Sequence, residues 1–167
     1  MKRQTVPTVL DAGALQLAGK LSQPTLITPH AGELARLLAS HSISVSSESI
    51  EADPVTWAQK TAQLLGVTVL LKGSRTVVAQ GDRVIVLPKA TPYLATAGTG
   101  DVLAGIIGAL VATNYIEILN SPQRLADVAV AGAYIHNQAA LLASLGAPIS
   151  ASMVVENIPH AIRKLLK

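Results

Sequence analysis

The stretch Ala95–Ala112, reading ATAGTGDVLAGIIGALVA, sets the tightest limit on what this chain can become. It opens on the flexible, small-residue sequence Gly98-Thr99-Gly100, places one carboxylate at Asp101, and then runs uncharged from Val102 to Ala112. This order predicts a tight turn feeding a helix that begins at Asp101. The apolar run falls far short of the roughly 20 residues that cross a bilayer, so it reads as a helix of a protein core.

Free amides in a first helical turn point outward along the axis, and glycines ahead of them let an anion approach closely. Such a turn can cradle a phosphate. A lone carboxylate at its mouth can take a proton from a substrate hydroxyl while a phosphoryl group moves toward that oxygen. The pattern is not a Walker loop, because no Gly-Lys-Ser/Thr follows, and Leu103 stands where a dinucleotide fingerprint needs its third glycine. A Gly-rich turn capped by Asp101 ahead of a buried helix accounts for the same residues.

A buried helix needs a core to sit in. The 167 residues are read as a single domain, 1–167, long enough to build one. Phe is absent and aromatic residues are 2 %, so the core must be aliphatic, which suits a parallel sheet covered by alanine-rich helices. With Lys+Arg 13 against Asp+Glu 10, the charge balance does not describe a nucleic-acid binder. The cations Lys60, Lys72, Arg75, Arg83 and Lys89 nonetheless gather upstream of the proposed cradle, opposed in that stretch by Asp82 alone. The absence of cysteine excludes disulfides and thiolate metal sites and is compatible with a cytoplasmic location. No signal peptide is expected, because Gln4, Thr5 and Pro7 interrupt any apolar lead-in.

Strands are expected at Val6–Leu10, Thr25–Thr28 and Val67–Leu71, with short helices through Leu17 and Leu38 between them. Ser40–Asp53, rich in Ser and Glu, reads as a surface excursion. Asp53-Pro54 starts a helix that ends at Gly66. Val77–Ala79 and Val84–Leu87 flank Gly81-Asp82 as a hairpin. After a loop over Pro88–Ala97, helices are expected from Asp101 to Thr113, from Pro122 to Leu145 with Ser121 as cap, and from Ser152 to Leu166. The order describes an α/β sheet covered on both faces.

Polar residues at strand ends in such folds lie on the ligand-binding edge, where Asp11 and His30 both fall. His30 can hydrogen-bond a substrate amide or phosphate, or cap the next helix. Glu33 complements the helix dipole, with a water-mediated magnesium role as the weaker option. Lys72-Gly73, followed by Ser74, Arg75 and Thr76, can neutralise and approach a phosphate, or can be an ordinary strand end with solvated cations. His136 reads as structural; His41 and His160 read as surface residues.

Taken together and in order, Thr28-Pro29-His30-Ala31-Gly32-Glu33, Leu71-Lys72-Gly73 with Thr76, and Ala95–Gly105 closely resemble the ADP- or ATP-dependent NAD(P)H-hydrate dehydratases of the ribokinase-like superfamily. Val9-Leu10-Asp11-Ala12 and the C-terminal helices are similar too. The resemblance implies a ribokinase-like α/β fold, with a central, mostly parallel sheet flanked by helices and a β-hairpin. It also implies a cofactor-repair activity: removal of water from (S)-NAD(P)H hydrate with cleavage of ADP or ATP and with Mg2+. Asp101 would be the base and contact the hydrated nicotinamide, His30 would bind that substrate, and Lys72, Gly73, Ser74, Arg75 and Thr76 with Gly98, Thr99 and Gly100 would hold the adenine nucleotide.

The chain departs from the family in reading Lys89-Ala90-Thr91-Pro92-Tyr93 where a Gly-Asn-rich loop is usual, and in having Gly13 in place of a second aspartate. It also begins at the family's mid-domain strand, so the N-terminal strand–helix units are missing and a sheet edge needs cover. An oligomer, a separate chain or an incomplete, inactive remnant would each resolve this; a homo-oligomer is expected, with no nucleic-acid or membrane partner. A related small-alcohol kinase and a truncated, non-catalytic nucleotide-binding subunit are the alternatives.

Overall fold

Residues 6–166 are described by the computed structural model, and alternation along their strands divides them into layers. The strands β1 (Thr8–Leu10), β2 (Thr25–Ile27), β3 (Thr68–Leu71), β4 (Arg75–Gln80) and β5 (Arg83–Lys89) form one sheet in that order. The first three run parallel, and β4 and β5 fold back antiparallel as the hairpin. Ile27, Val69, Leu71, Val77 and Ala79 point to one layer, made by α1 (Ala31–Ser40), α2 (Ser47–Ala52) and α3 (Pro54–Leu65). Their neighbours Leu26, Leu70 and Val78 point the other way, to α4 (Thr99–Thr113), α5 (Tyr115–Asn120) and α6 (Arg124–Ser144).

Among the described residues every buried hydrophobic residue is Leu, Ile, Val or Ala, as expected of a chain without Phe. The last helix, α7 (Ala151–Leu165), packs outside α4 and α6 through Val154 and Ala161 against Ile106, Ile135 and Ala139. A Cβ on Gly132 of α6 would stand 2.7 Å from Ile107 Cγ1, so α4 and α6 approach more closely than an alanine would permit. No helix among the described residues is long and apolar enough to cross a membrane.

Several boundaries differ from the expectation. Helix α4 begins at Thr99, two residues before Asp101, because Gly98 adopts φ 85° and turns the chain into the helix early. Ser40–Asp53 is not a bare surface excursion: Ser46 Oγ accepts from Ser49 N and caps α2, whose Ile50 is fully buried. A further short helix, α5, precedes α6, which starts at Arg124 without a side-chain cap from Ser121. Helix α7 starts at Ala151, with Ser150 Oγ accepting from Met153 N as its cap.

Candidate active site

Parallel strands expose their carboxyl ends on one edge, and here that edge collects the polar residues. Thr28 N donates to Leu10 O at 3.1 Å and Lys72 N donates to Pro29 O at 2.8 Å, which ties the ends of β1, β2 and β3 together. Asp11, His30 and Lys72 therefore emerge side by side.

The Lys72 ammonium is the hub. Nζ lies 3.0 Å from Asp11 Oδ1 and 3.5 Å from Glu33 Oε2. The three side chains are 15–22 % exposed, dry enough for the pairing to be stronger than on an open surface. Asp11 stands at the cap position of a 3-10 turn over Ala12–Leu17, yet makes no capping bond, and its carboxylate goes to Lys72 instead. The next residue, Ala12, takes φ 48°, a left-handed conformation uncommon for alanine, in the turn that carries Asp11.

His30 is committed to α1. Its Nδ1 accepts from Gly32 N at 3.1 Å and from Glu33 N at 3.4 Å, while Glu33 Oε2 accepts from His30 N at 2.8 Å. This is a complete capping box, with His in the place usually held by Ser or Thr. Nε2 lies 3.6 Å from Glu33 Oε2, on a side chain 54 % exposed and so within reach of a ligand.

Helix α4 meets the cluster at its first turn. A Cβ on Gly100 would stand 3.7 Å from Lys72 Nζ, so the ammonium lies against the Gly100 backbone. Among the described residues, neither the Gly100 nor the Asp101 amide has a hydrogen-bond partner, and Gly98 supplies no side-chain cap. Two free donors at a helix N-terminus with a cation beside them can accept an anion, and the exposed carboxylate of Asp101 stands in the same turn.

The other expected contacts divide. Thr99 is buried; its hydroxyl donates to Leu94 O at 2.7 Å and Thr96 O at 2.8 Å, and its amide donates to Thr96 O, so it braces the loop from within. Gly73 and Ser74 form the exposed turn after Lys72, and Arg75 and Thr76 open β4, with Arg75 paired to Lys89 across the sheet edge. Two of the other upstream cations are engaged away from the cradle. Lys60 stacks over Trp57 at 5.2 Å, and Arg83 Nη2 lies 2.7 Å from Asp127 Oδ1. Asp11, expected on the ligand-binding edge from its place at a strand end, and Glu33, expected to complement the helix dipole, both pair with Lys72.

Asp11, Glu33 and Lys72 together carry one net negative charge, so a polyphosphate arriving here requires an additional cation. Two carboxylate oxygens facing the anion site suit a hard divalent ion that completes its shell with phosphate and water. Among the described residues no group of three or more metal-ligating side chains exists.

The sequence profile of the NAD(P)H-hydrate dehydratase family matches residues 1–163. The chain is 35 % identical over 184 residues to the bifunctional NAD(P)H-hydrate repair enzyme Nnr of Corynebacterium glutamicum, covering 95 % of this chain and 32 % of that protein. It is 34 % identical over 169 residues to the ADP-dependent (S)-NAD(P)H-hydrate dehydratase of Neisseria meningitidis serogroup B, covering 95 % of this chain and 53 % of that one. The crystal structure of the ADP/ATP-dependent NAD(P)H-hydrate dehydratase from Bacillus subtilis, co-crystallized with ATP and Mg2+, superposes with a TM-score of 0.76 at 27 % identity, over 95 % of this chain and 55 % of that one. The chain thus spans about a third to a half of the length of these proteins.

Proposed function

This chain belongs to the NAD(P)H-hydrate dehydratase family and has its ribokinase-like fold, and from that premise we propose that its site dehydrates (S)-NAD(P)H hydrate at the expense of ADP or ATP. The observation that carries the reading is the convergence of Lys72 Nζ on the open first turn of α4, with Asp101 in that same turn.

The terminal phosphate of the nucleotide lies against the Gly100 and Asp101 amides, with Lys72 on its flank. Gly73–Thr76 line the approach, and Gly98 and Thr99 hold the cradle in shape. Asp11 and Glu33 would hold magnesium beside the phosphates, and the ion would supply positive charge to the phosphoryl oxygens. His30 offers Nε2 to the hydrated nicotinamide and keeps Nδ1 for the helix cap.

Asp101 takes the proton of the substrate hydroxyl as that oxygen bonds to the terminal phosphorus and the bond from that phosphorus to the bridging oxygen breaks, releasing AMP from ADP or ADP from ATP. Phosphate then leaves the ring carbon that carried the hydroxyl, taking the electrons of the C–O bond, while the neighbouring carbon gives its proton to the departing phosphate and its C–H electrons form the ring double bond. A carboxylate is a weak base, but a loose phosphoryl-transfer transition state asks little of it, and positioning carries most of the acceleration. A homo-oligomer that covers the open β1 edge, and a cytoplasmic setting, belong to the same reading.

The test is recovery of NADH absorbance when the purified chain meets hydrated NADH, magnesium and ADP or ATP. Nucleotide-dependent recovery that disappears in Asp101→Asn is the expected result; a folded, nucleotide-binding protein that restores no NADH overturns the activity.

A further inference from the structure

The loop between β5 and α4 is fastened at both ends to elements that face the anion site. At its start Ala90 N donates to Ser74 O at 2.9 Å, in the turn that follows Lys72. At its end Thr99, the first residue of α4, donates its hydroxyl to Leu94 O at 2.7 Å. Between them Leu94 N donates to Thr91 O at 3.2 Å, and Thr96 Oγ1 donates to Tyr93 O at 2.9 Å. A run of hydrogen bonds therefore joins Thr91 to the residue that precedes the open Gly100 amide.

That run is anchored to the helical layer from α6. Asn137 Oδ1 accepts from Thr91 N at 3.2 Å, across 46 residues of sequence. The backbone N–H can only donate, so the contact fixes which end of the side-chain amide faces the loop. Asparagine is a poorer helix former than alanine or leucine, and here its oxygen serves the loop instead of its own helix. A second tie lies farther along, where the Tyr93 hydroxyl donates to Gly146 O at 2.8 Å, just past the end of α6. Tyr93, Leu94 and Val102 of α4 all pack on the cluster that contains Ile135 and Ala139 of α6, so the loop and the start of α4 rest on one support.

We propose that Asn137 is a positioning residue for the nucleotide: by holding Thr91 it sets, through Leu94 and Thr99, where the Gly100 and Asp101 amides stand relative to Lys72 and the turn after it. A loop pinned in this way keeps the two anion-facing elements at a fixed separation before the ligand arrives, which leaves little ordering for binding to impose. The inference rests on the reading of the α4 turn as a nucleotide cradle.

The test compares Asn137→Ala and Asn137→Asp with the parent chain by amide hydrogen exchange across residues 91–101 without nucleotide, and by calorimetric titration with Mg·ADP. Alanine removes the acceptor and suits a helix, whereas aspartate returns an oxygen to the same place. We expect Asn137→Ala to speed exchange across the loop and to weaken Mg·ADP binding by about tenfold, with Asn137→Asp restoring both. A folded Asn137→Ala protein with parental exchange or parental affinity overturns the proposal, as does an Asp variant that behaves like the Ala variant. If Asn137→Ala fails to fold, Asn137→Gln, which moves the acceptor by one methylene, takes its place under the same two criteria. A parent chain that binds no Mg·ADP overturns the cradle reading and the positioning role with it, whereas parental affinity retained by a variant without the acceptor overturns the positioning role alone.

Discussion

Helices α1 and α4 begin on the same edge of the sheet, yet their first turns are finished in opposite ways. In α1 the chain's own side chains occupy the free amides: His30 Nδ1 takes those of Gly32 and Glu33, and Glu33 returns a bond to His30 N. In α4 the cap is Gly98, which has nothing to offer, and the Gly100 and Asp101 amides stay open beside Lys72. Both helices have the same dipole at the N-terminus. What differs is whether the sequence spends it on itself, so one start is a structural corner and the other is available to a phosphate.

The largest expected effect tests whether the open start carries the chemistry. Asp101→Asn should lower NADH recovery by roughly 10²–10⁴-fold while leaving the calorimetric affinity for Mg·ADP nearly unchanged; undiminished turnover would remove Asp101 from the mechanism. Next comes a buried titratable group on α6. His136 has its pKa lowered from 6.5 to about 4 by burial, so the unfolded chain binds more protons than the folded one between those values. Its contribution is complete above pH 6.5 and is lost as the pH falls toward 4, by about 3 kcal/mol. Urea unfolding measured across that range should show the slope, and His136→Asn should flatten it.

Lys72→Ala cuts the link between the two starts. It leaves the partly buried Asp11 and Glu33 carboxylates without their shared cation, so we expect a loss of about 1–2 kcal/mol in denaturant unfolding after allowance for solvent screening, together with weaker Mg·ADP binding. Unchanged affinity in a folded variant would put the nucleotide elsewhere. Gly98→Ala forces φ 85° on a residue with a Cβ, and places that Cβ 3.1 Å from Ala151 Cβ. It should cost about 1–2 kcal/mol, read as a lower unfolding midpoint.

The smallest effect belongs to the closed start. His30→Ala should cost about 1 kcal/mol through loss of the cap, and His30→Asn, whose side-chain oxygen can accept the same amides, should recover that stability. If Nε2 also meets the substrate, His30→Asn stays stable but turns over hydrated NADH more slowly. Full activity in that variant would reduce His30 to a corner residue.

The parts that could be read from the sequence are those governed by short-range rules. Asp53, Pro54 and Gly66 bound α3 in the structure as expected from the sequence: Asp53 Oδ1 accepts from Thr56 N, and Gly66 takes φ 63° at the C-cap. The strand ends that carry Asp11, His30 and Lys72 were legible for the same reason, since apolar runs end where polar residues begin. The interior of Ser40–Asp53 was not, because Ile50 is one apolar residue among Ser and Glu, and only the neighbours it meets decide that it is buried. The start of α4 was misplaced by two residues because a carboxylate is the usual cap signal, and a glycine in the left-handed region leaves no such mark.

By itself the sequence determined the aliphatic α/β core, the order of its elements, the glycine entry to α4 and the supply of His, Lys and Asp residues at strand and helix ends, all consequences of side-chain volume, periodicity and local backbone preference. Only the tertiary structure decided what those residues do to one another. Lys72 and Asp11 stand 61 residues apart yet meet at 3.0 Å. Lys60 and Arg83, equally cationic in the sequence, are taken up by Trp57 and Asp127. Charge and hydrogen-bonding capacity belong to a residue, but the partner that uses them is chosen by distance and burial, which arise only when the sheet brings its strand ends together.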